Sequence, residues 1–100
     1  GHGHNYVVEA FIDGPIDPRT RMVVNLVDLD QLLKEATAPL DHQHLNFTVS
    51  EFRDTVPTTE NIALYLRHQI LRRLPALGSD LRLNRLRLYE TDSLWVEIFE

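Results

Sequence analysis

The feature that most constrains the fold is an apolar stripe with a four-residue repeat in the second half of the chain. Its members are Ile62, Leu66, Ile70 and Leu74. Apolar side chains at this spacing line one face of an α-helix. Thr58-Thr59-Glu60 precedes the stripe, with a hydroxyl cap and an early acid that suit the positive end of a helix dipole. Pro75 and Gly78 follow it, so the pattern predicts a helix that begins near Thr58 and ends at Pro75.

A capping pattern predicts an earlier helix. Asp28 can cap its start, and Gln31 completes the spacing of a capping box. The apolar stripe that follows has helical spacing and consists of Leu29, Leu32, Leu33 and Ala36. Pro39 ends the run, because proline cannot continue a helix interior.

Strand patterns lie on both sides of the two helices. Residues 4–12 are rich in β-branched and aromatic types, which favour a strand. The segment Arg21–Asn25 predicts a second, shorter strand. Gly14-Pro15 and Asp17-Pro18 mark a turn region between the two.

The last segment predicts a β-hairpin. Side chains alternate between the two faces of a strand, so Leu86, Leu88 and Glu90 share one face. Leu94, Val96 and Ile98 share a face on the returning strand. Leu81 and Leu83 have the opposite parity to Leu86, which predicts that the strand starts near Asn84 or bulges there.

The predicted order is strand, strand, helix, helix, strand, strand. This order favours an α+β domain in which the helices cover one face of an antiparallel sheet. The 100 residues fit a single domain, residues 1–100. A domain of this size buries a modest share of its surface, so oligomerisation is a natural source of further burial.

Composition excludes several classes of function. The sequence contains no cysteine, which excludes disulfide and thiolate chemistry for these residues. Fifteen acidic residues against ten basic ones give a net charge of −5, which argues against general nucleic-acid binding. No apolar run approaches the ~20 residues of a membrane span, and no cationic, apolar leader marks export. We therefore expect a cytoplasmic protein without membrane contact.

Two histidine-containing segments could carry chemistry. His2 and His4 leave the same face of an extended segment, which suits a zinc site, although a solvated terminus is the simpler interpretation. Asp41 could orient the imidazole of His42 for proton transfer near neutral pH. A solvated loop pair is the alternative there. His44 has a weaker claim.

Glu90 ends an inward apolar row, where an ionised carboxylate needs a partner. That partner is an intramolecular guanidinium or a ligand with an amidine-like edge, unless the side chain reaches out to solvent at the turn. Six of the ten basic residues fall between Arg67 and Arg87. They could attract an anion, but a solvated helix face and an outward strand face explain them more simply. His68 belongs to that helix surface.

Five segments, taken together, resemble the 6-pyruvoyltetrahydropterin synthase family. They occur in family order and cover nearly the whole chain: GHGHNY (1–6), IDPRTRMVVNLVDL (16–29), PLDHQHLN (39–46), TVPTTENIA (55–63) and LYETDS (88–93). The resemblance implies a zinc-dependent carbon–oxygen lyase of tetrahydrobiopterin biosynthesis. Such an enzyme converts 7,8-dihydroneopterin triphosphate to 6-pyruvoyltetrahydropterin and triphosphate.

The resemblance also implies roles for individual residues. His2 and His4 would be two of three zinc ligands, and Asp41 with His42 would form a proton relay offered from a neighbouring subunit. Glu90 would hold the amino-pyrimidine edge of the pterin and take part in the relay. Thr58 and Thr59 would approach the pterin at a helix start, where backbone N–H groups are free.

The family fold is the tunnelling fold, in which subunits close into a barrel and stack, typically as a hexamer of two trimers with active sites between subunits. In the family, a first strand, the third zinc histidine and the catalytic cysteine lie upstream of GHGH. We therefore expect this chain to be an incomplete version of a longer enzyme. Arg21 stands where the family often has glycine.

Two alternatives remain open at this stage. The 6-carboxytetrahydropterin synthase of queuosine biosynthesis shares the fold, the metal and the same signatures. Gly1 before His2, together with Asn5-Tyr6, looks more like the pyruvoyl enzyme. A catalytically silent pterin-binding homologue would keep Glu90 and the assembly without turnover.

Overall fold

The computed structural model describes residues 6–40, 58–91 and 93–99 of the chain. Five elements follow one another in this part: β1 (Val7–Asp13), α1 (Leu26–Thr37), α2 (Thr59–Arg73), β2 (Arg82–Tyr89) and β3 (Trp95–Phe99). A short 3-10 turn extends each helix, at Ala38–Leu40 and Leu74–Ala76. The strands form an antiparallel sheet in the order β1-β2-β3. The predicted α+β class is confirmed. In the described ranges no helix is long and apolar enough to cross a bilayer.

The predicted strand at Arg21–Asn25 is wrong. These residues form an irregular connection with a bend at Val23-Val24. The backbone N–H of Asp17 donates to the carbonyl of Met22 and closes a tight loop on one side. On the other side, Asn25 is the N-cap of the next helix. Too few residues remain between the loop and the cap to form a strand, although valine favours one. The described order is therefore strand, helix, helix, strand, strand.

Helix α1 begins earlier than the sequence pattern predicts. Its cap is Asn25, whose Oδ1 accepts hydrogen bonds from the backbone N–H groups of Val27 at 2.9 Å and Asp28 at 3.3 Å. The predicted cap, Asp28, lies in the first turn instead. Asparagine and aspartate are both good caps, and the backbone of the preceding loop decides which of them is used.

One side of the sheet packs on the two helices. All four residues of the predicted apolar stripe, on α2 and the 3-10 turn that follows it, are buried, as are Leu32 and Ala36 of α1. The inward side chains of β2 complete the core: Leu83, Leu86 and Leu88. The pairing of β1 with β2 slips between Phe11, opposite Arg85, and Ile12, opposite Leu83. Asn84 is therefore the bulged residue, and the bulge turns both Leu83 and Leu86 inward, which confirms that sequence-based alternative.

We expect Leu66→Ala to lower the free energy of unfolding by about 2–5 kcal/mol, because it removes a buried side chain and leaves a cavity. Leu66 is 1% exposed, whereas Leu64 on the same helix is 46% exposed. The matched variant Leu64→Ala should change stability by less than about 0.5 kcal/mol. Urea unfolding of both variants measures the difference. Equal losses would mean that α2 presents a different face to the sheet.

The loop before α1 contains a left-handed residue. Arg21 has φ 61°, the one positive φ among the described non-glycine residues. A side chain in this region costs roughly 1–2 kcal/mol, because Cβ crowds the backbone. Glycine adopts it freely, which gives a physical reason for the glycine that the related family often has there.

We expect Arg21→Gly to raise the free energy of unfolding by up to about 1 kcal/mol, since the relief of strain exceeds the added entropy of the unfolded chain. Arg19→Gly, in the same exposed loop but without a positive φ, carries only the entropic penalty. It should lower stability by about 0.4–1 kcal/mol. Chemical denaturation of both variants measures the difference. A larger loss of stability in Arg21→Gly than in Arg19→Gly would contradict the prediction.

Candidate functional site

Glu90 is placed by the turn that joins β2 to β3. Its backbone N–H donates to the carbonyl of Leu94 at 2.9 Å, which closes the turn directly after β2. Leu86 and Leu88 of the same strand are fully buried, while Glu90 is half-buried. The prediction that Glu90 ends an inward-facing apolar row is confirmed. Its carboxylate lies close enough to α2 to contact the first turn of that helix.

The first turn of α2 supplies a hydrogen bond to this carboxylate. The Thr59 hydroxyl donates to Oε2 of Glu90 at 3.1 Å. Its neighbour Thr58 is the N-cap, and the Thr58 hydroxyl oxygen accepts from the backbone N–H of Asn61 at 3.1 Å. The two threonines therefore have different roles: Thr58 caps the start of α2, and Thr59 hydrogen-bonds to Glu90. The family resemblance implied that both threonines approach the pterin, which stays a prediction. The sequence gave no sign of the Thr59–Glu90 contact, because it joins segments far apart in the chain.

Tyr6 lies within the electrostatic reach of Glu90. The last registered pair of the two strands is Val7 with Tyr89, and Tyr6 and Glu90 are the next residues beyond that pair on their respective segments. Burial raises the pKa of the Tyr6 phenol, and the negative charge of Glu90 raises this pKa further. The phenol thus keeps its proton at neutral pH. The sequence offered only the alternation of β1 as a signal for this residue.

A cavity of about 530 Å³ opens beside Tyr6, between the start of β1 and the two helices. Its volume falls within the usual range for small-molecule sites. The lining is mostly apolar and includes Val8, Leu33, Leu40, Ile62, Leu66 and Leu88, with Lys34 and Thr37 as polar members. Tyr6 lines this cavity and also lies within reach of the Glu90 charge.

The basic cluster of the sequence is engaged within the chain. Arg85 and Arg87 lie on the outward face of β2, where both contact Glu97 of β3. The Arg85 guanidinium also stacks over the Phe11 ring, 4.2 Å from its centroid. On α2, Arg72 and Arg73 both donate to the side-chain oxygen of Gln69. The interpretation of these residues as an outward strand face and a helix surface is confirmed, and His68 is exposed on the same helix.

The whole chain, residues 1–100, matches the family model described as 6-pyruvoyl tetrahydropterin synthase. The chain belongs to this family. It is 47% identical over 94 residues to the 6-pyruvoyl tetrahydrobiopterin synthase of Pongo abelii, an alignment that covers 93% of this chain and 62% of that protein. The chain thus spans less than two thirds of the length of that relative.

A solved structure and a more distant relative extend the comparison. The 6-pyruvoyl tetrahydropterin synthase of Caenorhabditis elegans superposes with a TM-score of 0.83 at 29% identity, covering 100% of this chain and 69% of the other. The dihydroneopterin monophosphate aldolase of Pyrococcus furiosus is 33% identical over 97 residues, covering 97% of this chain and 76% of that protein. Relatives of this chain therefore carry names for more than one reaction.

The other predicted site residues of this chain lie outside the described residues. These are the metal-ligand candidates His2 and His4, the relay pair Asp41 and His42, and His44. Within residues 6–40, 58–91 and 93–99, no three side chains of the ligand types His, Cys, Asp and Glu converge as a metal site would require. The zinc ligands and the relay stay predictions, whereas Glu90 and Thr59 are brought together.

Proposed function

We propose that this chain is part of a zinc-dependent 6-pyruvoyltetrahydropterin synthase. It would convert 7,8-dihydroneopterin triphosphate to 6-pyruvoyltetrahydropterin and triphosphate, in tetrahydrobiopterin biosynthesis. The observation that carries the proposal is the half-buried carboxylate of Glu90, to which the Thr59 hydroxyl donates from the first turn of α2. The higher identity to a 6-pyruvoyl tetrahydrobiopterin synthase, 47%, than to the aldolase, 33%, supports the choice of reaction.

Glu90 would bind the amino-pyrimidine edge of the pterin. That edge presents two N–H donors side by side, and an ionised carboxylate is an acceptor with about four lone-pair positions. One oxygen can accept more than one hydrogen bond, so the bond from the Thr59 hydroxyl to Oε2 is compatible with a further bond from the ring. Two parallel charge-assisted hydrogen bonds give strength and orientation. The reacting side chain of the substrate would thereby be directed to one place, which is positional catalysis.

His2 and His4 would hold the zinc ion. The inward residues of β1, such as Val8 and Ala10, are even-numbered and pack on the core, and both histidines share that parity. Imidazole nitrogens are preferred zinc ligands, and a catalytic zinc usually has three protein ligands. When bound, the metal supplies Lewis acidity that polarises the hydroxyl and carbonyl oxygens of the substrate side chain.

Asp41 and His42 would move the protons. A histidine titrates near neutral pH and can both accept and return a proton, while an adjacent carboxylate orients its ring. The proton transfers needed are those that expel triphosphate and tautomerise the side chain. No redox cofactor is required, because oxidation of the side chain is balanced by reduction of the ring. Glu90 would assist this relay from the ring side.

The assembly we propose is a homohexamer of two trimers, with active sites between subunits. Both β1 and β3 are edge strands of the described sheet, and unpaired edges of this kind can pair with another chain. Asp41 and His42 would then reach the site of a neighbouring subunit. We propose a cytoplasmic location, because the substrate is a small, highly charged triphosphate ester.

Product analysis tests the proposed function. The purified protein is incubated with 7,8-dihydroneopterin triphosphate and zinc, and pterins and small products are separated and weighed by mass spectrometry. Release of triphosphate with a 6-pyruvoyl pterin is the expected result. Acetaldehyde with a 6-carboxy pterin would instead indicate the carboxy enzyme, and a 6-hydroxymethyl pterin would indicate aldol cleavage. Pterin binding without any product would indicate a silent binding homologue.

A further inference from the structure

Gln69 of α2 is the one buried polar residue in the described ranges, with 7% of its surface exposed. Its side-chain oxygen accepts hydrogen bonds from Nη2 of Arg72 at 3.0 Å and from Nη1 of Arg73 at 2.6 Å. Nη1 of Arg73 also donates to the backbone carbonyl of Gln69 at 3.0 Å. A buried amide thus brings two guanidinium groups to one oxygen atom, in the last turn of α2.

The charge of this arginine pair is not neutralised by the described residues. Neither Arg72 nor Arg73 takes part in an ion pair within residues 6–40, 58–91 and 93–99. The helix dipole favours basic residues in a last turn, which explains their sign but not their convergence on one oxygen. Two positive charges this close repel each other. A carboxylate that accepts charge-assisted hydrogen bonds from both would relieve the repulsion.

The arginine pair forms one wall of a groove between the two helices. The groove has a volume of about 510 Å³, which is within the usual range of small-molecule sites. A face of α1 forms the other wall and presents Asp28, Gln31 and Glu35, all of them exposed. None of the ion pairs between described residues crosses the groove. The groove therefore has a wall with two carboxylates and a wall with two guanidinium groups, and neither wall neutralises the other by direct contact.

These charges select among classes of small ligand. An inorganic phosphate would be attracted by the arginine pair but repelled by Asp28 and Glu35, and a simple cation would meet the reverse situation. A ligand that carries both charges complements both walls. The remaining lining of the groove is apolar and suits an aliphatic group: Leu32, Ala76 and Leu77.

We propose that this groove binds a free α-amino acid with an aliphatic side chain. Its carboxylate accepts hydrogen bonds from Arg72 and Arg73, and its ammonium group faces Asp28 and Glu35. Because Gln69 holds both guanidinium groups before a ligand arrives, binding has less side-chain entropy to overcome. The inference is independent of the proposed function, since none of these residues is assigned to the pterin, the zinc ion or the proton relay.

The test is titration of the full chain with L-leucine, followed by isothermal calorimetry. We expect saturable binding of one leucine per chain. L-leucinamide lacks the carboxylate and N-acetyl-L-leucine lacks the ammonium group. Each analogue should bind at least about tenfold more weakly than leucine, because each loses one charge-assisted interaction.

An arginine variant tests the guanidinium wall. Arg72→Gln removes one charge at an exposed position and should weaken leucine binding about tenfold. The matched control is Arg67→Gln, on the same helix but outside the groove lining, and it should change the affinity less than about twofold. Circular dichroism shows that each variant is folded before it is titrated.

A double variant tests the carboxylate wall. Asp28→Asn combined with Glu35→Gln should weaken leucine binding by at least about tenfold and leave the binding of L-leucinamide no stronger. The control, Asp30→Asn combined with Glu9→Gln, makes the same change in net charge at two exposed residues outside the groove lining. It should keep the affinity for leucine within about twofold of the wild type.

Three results would overturn the inference. Wild-type protein that shows no saturable binding of leucine would remove the site. Inorganic phosphate or N-acetyl-L-leucine that binds as well as leucine would show a simple anion site, without a role for the carboxylate wall. Equal losses in Arg72→Gln and Arg67→Gln would show general electrostatics. Leucine binding by protein that forms no pterin product would count against the proposed function alone.

Discussion

Glu90→Gln is expected to lower kcat/KM for 7,8-dihydroneopterin triphosphate by at least about 10²–10³-fold. Glutamine has nearly the same size, but it brings an NH₂ donor towards the N–H donors of the pterin edge and removes the negative charge. A buried polar group left without its partner costs the full desolvation penalty, about 1–3 kcal/mol and more for charged groups. Steady-state kinetics and neopterin binding measure the loss.

The fold should tolerate this substitution. The Thr59 hydroxyl, which donates to Oε2 of Glu90, can donate to the amide oxygen of glutamine as well. We expect the melting temperature to change by less than about 4 °C, which corresponds to less than about 1 kcal/mol for a domain of this size. A large drop in melting temperature would mean that Glu90 serves the fold rather than the ligand.

Glu9→Gln is the matched control for Glu90. Glu9 is also a glutamate of the sheet, but it lies on the outward face, where its side chain is 46% exposed and 4.0 Å from Arg87. An exposed ion pair contributes about 0–1 kcal/mol to stability. Because Glu9 lies on the outward face, away from the proposed pterin site, we expect kcat/KM to stay within about twofold of the wild type. If Glu9→Gln and Glu90→Gln had equal effects on kcat/KM, general electrostatics would explain the loss and the assignment of Glu90 would fail.

His2→Ala and His4→Ala are each expected to reduce zinc affinity by at least about a hundredfold and to abolish turnover. Loss of a residue that only hydrogen-bonds to a metal ligand costs about 10–100-fold in metal affinity, so loss of a direct ligand should cost at least the upper end of that range. Zinc per chain is measured by mass spectrometry of the metal after gel filtration. Chelation of the wild type should remove activity, and added zinc should restore it.

His68→Ala is the control for the metal site. His68 is exposed on α2 and has no part in the predicted ligand set. Its replacement should leave zinc content and kcat unchanged. Zinc that persists at wild-type levels in both His2→Ala and His4→Ala would contradict the assignment of these two histidines as ligands.

Helix α2 shows how much local pattern can predict. Its stripe, its Thr58 cap and its end near Pro75 are all properties of residues close together in the chain, and the structure confirms each of them. The same holds for the row that ends at Glu90. Helical period, cap and strand alternation act over a few residues, so a sequence records them directly.

The prediction of a strand at Arg21–Asn25 failed because a strand depends on contacts that are distant in sequence. Two valines favour a strand, but strand formation requires a partner, and β propensity depends on packing against that partner. The loop that Asp17 closes and the use of Asn25 as a cap leave no room for one. A single sequence does not show which of two good caps, Asn25 or Asp28, the loop will place at the helix start.

The sequence by itself determined the helices, the hairpin, the half-buried carboxylate and the resemblance to one enzyme family, because each of these depends on spacing along the chain. Only the tertiary structure decided which groups surround Glu90. The contact from Thr59 depends on how α2 docks against the turn that follows β2. Such contacts join segments separated by tens of residues, and their geometry follows from packing of the whole core rather than from any local pattern.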